Sequence, residues 1–242
     1  AKEWLLSGRC EIGIHLHAWN NPPCYELNGE FSGNPYLIEY PDRIMREKFS
    51  TLYSLIIERF GIVPITHRAG RWVMDDRYFN LLKEFNIRID CSVTPGINWK
   101  DVKGETRGGC DYSSAVHHTY RVGDILEVPM TIEKCHFPIA FDLKHIARIL
   151  RFSYEDVWMR PSSSSLSVLR ALCKRIAKSK DCDYIELMIH SSELMPKGSP
   201  YFSTIESIKN LYSTFRAIFC YAKQMGFEGI TLKDYAKHKK IC

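Results

Sequence analysis

Two histidines one residue apart, His15 and His17, stand in the stretch "EIGIHLHAWNNPP". Along a strand, side chains at i and i+2 point to the same side, so both imidazoles can face one ion. Neutral imidazole is a common ligand of zinc and other divalent metals. Further along, "THRAGRW" supplies His67 and Arg68, "RIDCS" holds Asp90, "MTIE" ends in Glu133, and "IHSSE" carries His190 and Glu193. Brought together, such residues would suit metal-assisted hydrolysis: imidazoles for the metal, a carboxylate as base, a histidine as acid. Each also has a plain structural reading. His15 and His17 read equally well as hydrogen-bonded histidines at a strand end. His190 alone reads as a core histidine, Ser191–Glu193 as a capping turn, Arg68 as a salt-bridge partner and Asp90 as a tie to a neighbouring loop. His117 and His118 read as solvated. Trp19, Trp72 and Trp99 follow strand ends or lie in loops, where they could stack on sugar rings or pack beneath the chain.

Only the order of elements can bring these residues to one place. Apolar runs at 11–17, 62–67, 87–93, 125–131, 184–190 and 227–231 read as strands. Helical patterns at 41–60, 75–85, near 141–152, at 165–179 and at 204–225 alternate with them, and a short helix closes the chain. Short apolar runs alternating with helices imply parallel β/α units. A helix fragment at 1–7, closed by Gly8, lacks the strand that should precede it. Restoring that strand gives seven and points to a barrel-like sheet. In such barrels the chemistry sits at the C-terminal ends of strands, where His15, His17, Arg68, Asp90, Glu133 and His190 all fall. Residues 94–119 form a loop long enough to expect a functional or mobile role.

Composition sets wider bounds. The chain has 242 residues, 45% hydrophobic and 25% charged, with a net charge of +5. Its basic residues are spread out, so no nucleic-acid patch is expected. Nine cysteines at irregular spacing suit reduced thiols and a cytoplasmic setting. No apolar run approaches a membrane span. The first residue is Ala, so an upstream leader stays open.

In this order the motifs resemble the polysaccharide deacetylases of the NodB-homology type, carbohydrate esterase family 4, in the branch of surface-polysaccharide biosynthesis clusters. "EIGIHLHAWNNPP" is similar to the metal-binding second motif. "THRAGRWVMDDRYFNLLKEFNIRIDCSVTPG" is similar to the Arg motif, its helix and the Asp-bearing strand. "WMRP" and "YIELMIHSSELMPKGSPYF" are similar to the late segments. The resemblance covers nearly the whole chain and implies a single domain over 1–242 with an α/β fold, a distorted (β/α)7 barrel that here lacks its first strand. It implies a hydrolase that removes an N-acetyl group from a sugar with a divalent metal, usually zinc. His15 and His17 would be metal ligands, His190 the general acid, Arg68 the residue that holds the catalytic carboxylate, and Asp90 the residue that tunes His190. Leu187 would help line the acetyl pocket, and Trp72 and Trp19, from their place after strand ends, would contact substrate.

This sequence departs from the family pattern in two places. The family's second metal histidine falls four residues after the first, which is Trp19 here, so His17 takes its place. The opening motif with the base Asp and the metal Asp is not found in residues 1–10. The expectation is an N-terminally truncated sequence, or a protein that has lost the activity. The alternative function is a barrel that binds glycan without catalysis. A carboxylate-pair glycosidase using Glu133 and Glu193 is a third reading. The sugar, the metal's identity and the oligomeric state are not legible.

Overall fold

The computed structural model describes residues 2–29, 33–138 and 152–239. In chain order its elements are α1 (Lys2–Leu6), β1 (Ile14–Leu16), α2 (Asp42–Phe60), β2 (Thr66–Ala69), α3 (Asp76–Glu84), β3 (Ile89–Asp90), β4 (Tyr120–Val122) and β5 (Ile125–Glu127). There follow β6 (Ile132–Pro138), β7 (Phe152–Trp158), α4 (Leu166–Ile176), α5 (Ile205–Gln224) and α6 (Leu232–His238). The chain folds as two compact units, Ala1–Pro129 with Gly229–Cys242, and Met130–Glu228.

The first unit is built on a five-stranded sheet in the order β1-β2-β3-β5-β4. Its first four strands run parallel and β4 is antiparallel. Helices α2 and α3 connect the parallel strands. Asp42 lies in the first turn of α2, where a carboxylate suits the helix dipole. Gly61 ends this helix at φ 69°, donating its N–H to the Ile57 carbonyl at 2.8 Å, a left-handed cap that glycine adopts without strain. Asp75 caps α3 by accepting from the Tyr78 N–H at 2.9 Å. Ile44, Met45, Phe49 and Ile56 turn inward from α2, and Tyr78, Leu81 and Leu82 from α3. Phe49 is fully buried, its ring 4.9 Å from that of Phe85 and 6.2 Å from that of Tyr78. Truncating such a ring costs about 3–5 kcal/mol.

Register divides the chemistry between two faces. Ile14, His67, Asp90, Glu127 and Tyr120 pair in one row across all five strands. His15 pairs with Arg68 one position on. Adjacent residues of a strand project to opposite faces, so the buried row and the His15–Arg68 row lie on opposite sides.

In the second unit, β6 and β7 form an antiparallel ladder from Ile132↔Trp158 to Pro138↔Phe152, and α4 packs on α5.

Mixed α/β architecture with a parallel sheet agrees with expectation, and the first four predicted strands form its parallel part. The runs at 184–190 and 227–231 join no ladder among the described residues. In place of a ladder the first makes single bonds, from Glu186 N–H to Thr131 Oγ1 at 2.8 Å and from Met188 N–H to the Met159 carbonyl at 3.1 Å. The predicted helix near 141–152 lies outside the described residues except at its end, where Phe152 opens β7. The hairpin β4–β5 was not expected. Its two-residue connection is Gly123-Asp124, with Gly123 at φ 61°. Among the described residues no helix is long and apolar enough to cross a membrane.

Candidate functional site

The end of β1 carries His15, His17 and Trp19 as a contiguous aromatic edge. The His15 and His17 rings are 4.6 Å apart at 84°, and the His17 and Trp19 rings 4.6 Å apart at 56°. His15 Nδ1 lies 2.9 Å from the Arg68 carbonyl oxygen. A carbonyl can only accept, so Nδ1 carries the proton and Nε2 keeps its lone pair. Although part of His15 reaches solvent, packing around the ring, with the nearby His17 and Arg68, outweighs that hydrogen bond and lowers its pKa from 6.5 to about 4. At neutral pH it is therefore a neutral imidazole with a fixed tautomer, the form a metal binds. Gly70 lets β2 come this close. A Cβ there would press into the Leu16 carbonyl oxygen and lie 3.0 Å from His17 Nδ1.

The loop after β1 is held from beneath by Lys48, which is 1% exposed. Its Nζ donates to the carbonyls of Asn21 at 2.6 Å and Pro23 at 2.5 Å, and lies 4.8 Å from the centre of the Tyr40 ring. Asn21 Nδ2 returns a bond to the Lys48 carbonyl at 2.7 Å. Burial lowers the Lys48 pKa.

Arg68 is half-buried beside this edge. Its Nε donates to the Cys91 carbonyl at 3.3 Å, and its guanidinium lies 5.5 Å from the Trp72 ring centre. The turn that follows is strained. Arg71 and Trp72 stand at φ 57° and 66°, a left-handed backbone that non-glycine residues rarely adopt. The long loop holds this turn in place. Arg71 donates to the Asn34 carbonyl and, at 2.8 Å, to that of Lys103, and Tyr112 Oη donates to the Trp72 carbonyl at 2.6 Å. Glu39 in turn gathers residues 105–107. Its Oε1 accepts from the backbone N–H groups of Glu105 at 2.9 Å and Arg107 at 3.1 Å, and from the Thr106 N–H and hydroxyl.

Asp90 sits on the buried face, in a polar chain that sequence reasoning did not assemble. Tyr78 Oη lies 2.8 Å from His67 Nε2, and His67 Nδ1 lies 2.7 Å from Asp90 Oδ1. Ser92 Oγ also donates to that oxygen at 2.7 Å. Across the next strand Glu127 Oε1 accepts from the Val93 N–H at 3.0 Å. Asp90 Oδ2 and Glu127 Oε2 are both shut off from solvent without a donor, and a hydrogen bond between the two carboxyls is among the causes that move their pKa values in opposite directions. A proton kept on Glu127 supplies that hydrogen bond, since an ionised carboxylate can only accept. Burial and the Asp90 charge push the Glu127 carboxyl well above its usual range. Burial also works to raise Asp90, but the facing His67 imidazole and the hydrogen bonds outweigh it and hold that carboxyl low. The pair thus shares one proton and one negative charge.

In the second unit, His190 directly precedes the turn at Ser191–Leu194, and Leu187 lies in the extended run before it. Leu187 is half-buried. His190 Nδ1 stands between a donor, Arg160 Nη2 at 3.0 Å, and an acceptor, Glu193 Oε1 at 3.4 Å. Arg160 Nη2 also donates to Glu193 Oε1, and Glu193 is 2% exposed. The imidazole therefore has a partner in either state, accepting from Arg160 when neutral and donating to Glu193 when charged. In the sequence Arg160 was legible only inside "WMRP", a late segment to which no role was given. Glu133 is paired with Arg175 at 3.3 Å.

A catalytic zinc takes three protein ligands and keeps an open position. His15 and His17 fit two of these. Among the described residues, no three His, Cys, Asp or Glu side chains gather as a metal set.

No protein-family model matches the chain, and no curated protein matches it either. One crystal structure, provisionally assigned as a polysaccharide deacetylase from Mycobacterium smegmatis, is similar at a TM-score of 0.31 and 17% identity. The match covers 57% of this chain and 39% of that one.

Proposed function

We propose that the protein is a metal-dependent hydrolase that removes an N-acetyl group from a sugar, on a sheet that closes as a distorted barrel. One observation carries the reading: His15 is a neutral imidazole whose Nδ1 proton is fixed on the Arg68 carbonyl, leaving Nε2 available beside His17. The order of motifs in the sequence supports it. A divalent metal, zinc in the first instance, would polarise the acetamide carbonyl and lower the pKa of a bound water. His15 and His17 would hold it. Arg68, anchored on Cys91 and Trp72, would position a carboxylate. His190 would hold the proton for the leaving amine, since its Nδ1 keeps a partner in both states. Trp19 and Trp72 would offer ring faces to the sugar, and Leu187, in the second unit, takes its acetyl-pocket role from the resemblance of its segment alone.

A second reading draws on the ligand count. With two imidazoles and no third metal-binding side chain beside them among the described residues, a barrel that binds glycan without hydrolysis needs no more than the aromatic rim. Cobalt titration, read by its visible absorption, separates the two. The hydrolase reading expects binding that His15→Ala and His17→Ala each abolish, and zinc-stimulated acetate release from an N-acetylhexosamine oligomer that His190→Ala suppresses. Oligomer binding without metal uptake would select the second reading.

A further inference from the structure

Helix α5 presents two different faces. Ile208, Leu211 and Ile218 are buried. Around the cylinder Ile205, Lys209, Tyr212, Arg216, Phe219 and Lys223 follow one another at alternating steps of four and three, which places them in one line. All six are exposed, with Ile205 at 64%, Tyr212 at 47% and Phe219 at 57%. Apolar and cationic residues alternate along the line for about 27 Å at 1.5 Å per residue. Its rings are already assembled. Phe215 stacks on Phe219 at 6.0 Å with planes 12° apart, and Tyr212 meets Phe215 edge-on at 6.3 Å. The only acid of the helix, Glu206, lies off the line. The loop before the helix extends the same chemistry. Met195 is 60% and Tyr201 59% exposed, and the Lys197 N–H is tied to the Ser203 carbonyl at 3.0 Å.

Single exposed apolar residues need no explanation, but a line of them does. Three cations within the line would be stripped of water against an apolar protein partner. A glycan would need acceptors and amides for its hydroxyls, and the six residues include no Asn, Gln, Asp or Glu. Anionic lipid suits both halves of the pattern: rings and aliphatic chains enter the headgroup boundary while Lys and Arg reach up to the phosphates. We infer that this face of α5 seats the protein on a membrane surface bearing anionic headgroups. The inference is independent of the hydrolase reading.

Vesicle co-sedimentation of the full chain tests it, using phosphatidylcholine with and without phosphatidylserine. Binding should require phosphatidylserine and weaken as salt rises. Lys209→Glu/Arg216→Glu/Lys223→Glu should lower the partition by roughly 100-fold or more, and Tyr212→Ser/Phe219→Ser should weaken it at unchanged charge. Lys174→Glu/Lys178→Glu/Lys180→Glu, exposed positions on and just after α4 with the same change in net charge, should retain binding. The inference is overturned by absent vesicle binding, by equal loss in both triple variants, or by binding indifferent to Tyr212 and Phe219. It is equally overturned if Phe219→Ser abolishes a concentration-dependent dimer, or if a soluble anionic polysaccharide occupies the face in place of vesicles.

Discussion

Replacing Glu127 with Gln should make the first unit more stable, increasingly so as pH rises. In the fold Glu127 keeps its proton because burial and the Asp90 charge oppose ionisation. In the unfolded chain a glutamate ionises above about pH 4.3. Above that value the folded state binds one more proton than the unfolded state, so this group's contribution to stability falls as pH rises. The slope for one proton is about 1.4 kcal/mol per pH unit. Between about pH 5 and pH 7 the wild type therefore loses up to about 3 kcal/mol on this account, the full amount if Glu127 stays protonated throughout. Glutamine takes up no proton. Its amide can donate to Asp90 Oδ2 while its oxygen still accepts from the Val93 N–H, so the geometry survives. Urea unfolding at three pH values, followed by amide exchange in β2, β3 and β5, gives the comparison. The Glu127→Gln advantage should grow across that interval, by up to about 3 kcal/mol. Parallel curves for the two proteins would refute the shared proton. Asp90→Asn is the contrast: it removes the anion facing His67 and should cost about 3–5 kcal/mol.

Other outcomes follow from the rim. The His15 imidazole should titrate near pH 4 by NMR, with its proton on Nδ1 above that value; a midpoint near 6.5 would count against the packed, neutral ligand. Lys48→Met should cost about 1–3 kcal/mol, because two buried carbonyls lose their donor, and should speed amide exchange over residues 18–23; unchanged exchange there would remove Lys48 as the anchor of the loop. Gly70→Ala should cost about 1–3 kcal/mol by overpacking and weaken cobalt binding at His15 and His17, whereas wild-type stability and binding would mean β1 and β2 can part at no cost.

The parallel half of the first unit was legible because buried parallel strands announce themselves as short apolar runs between amphipathic helices. Ile14, Ile89 and Ile125 sit where those runs placed them. The hairpin β4–β5 leaves a weaker mark: "YRVGDILE" carries a Gly-Asp connection between alternating residues, but β4 is only three residues long and the longer apolar run after it dominates the pattern. "YIELMIH" has strand composition and no ladder among the described residues, because pairing depends on a neighbour that composition does not name. The site divides in the same way. The His15–Arg68 row follows from strand order and alternation. The Tyr78–His67–Asp90–Glu127 chain does not, because it needs the register of three strands to the residue. Glu127 inside "ILEVP" was the one available signal, a lone acid in an apolar run, and an acid placed there must have a partner.

The left-handed turn at Arg71 and Trp72 has a consequence for the order in which the protein matures. Such backbone costs about 1–2 kcal/mol per residue, and it is held by carbonyls and a hydroxyl from Asn34, Lys103 and Tyr112. During synthesis β1, β2 and their histidines leave the ribosome well before Tyr112 does. Until Lys103 and then Tyr112 arrive, the turn lacks the bond from the Tyr112 hydroxyl to the Trp72 carbonyl and the one from Arg71 to the Lys103 carbonyl, and of these three holds only Asn34 is already in place. The rim is thus completed late, by a stretch of chain that contributes none of its proposed metal ligands.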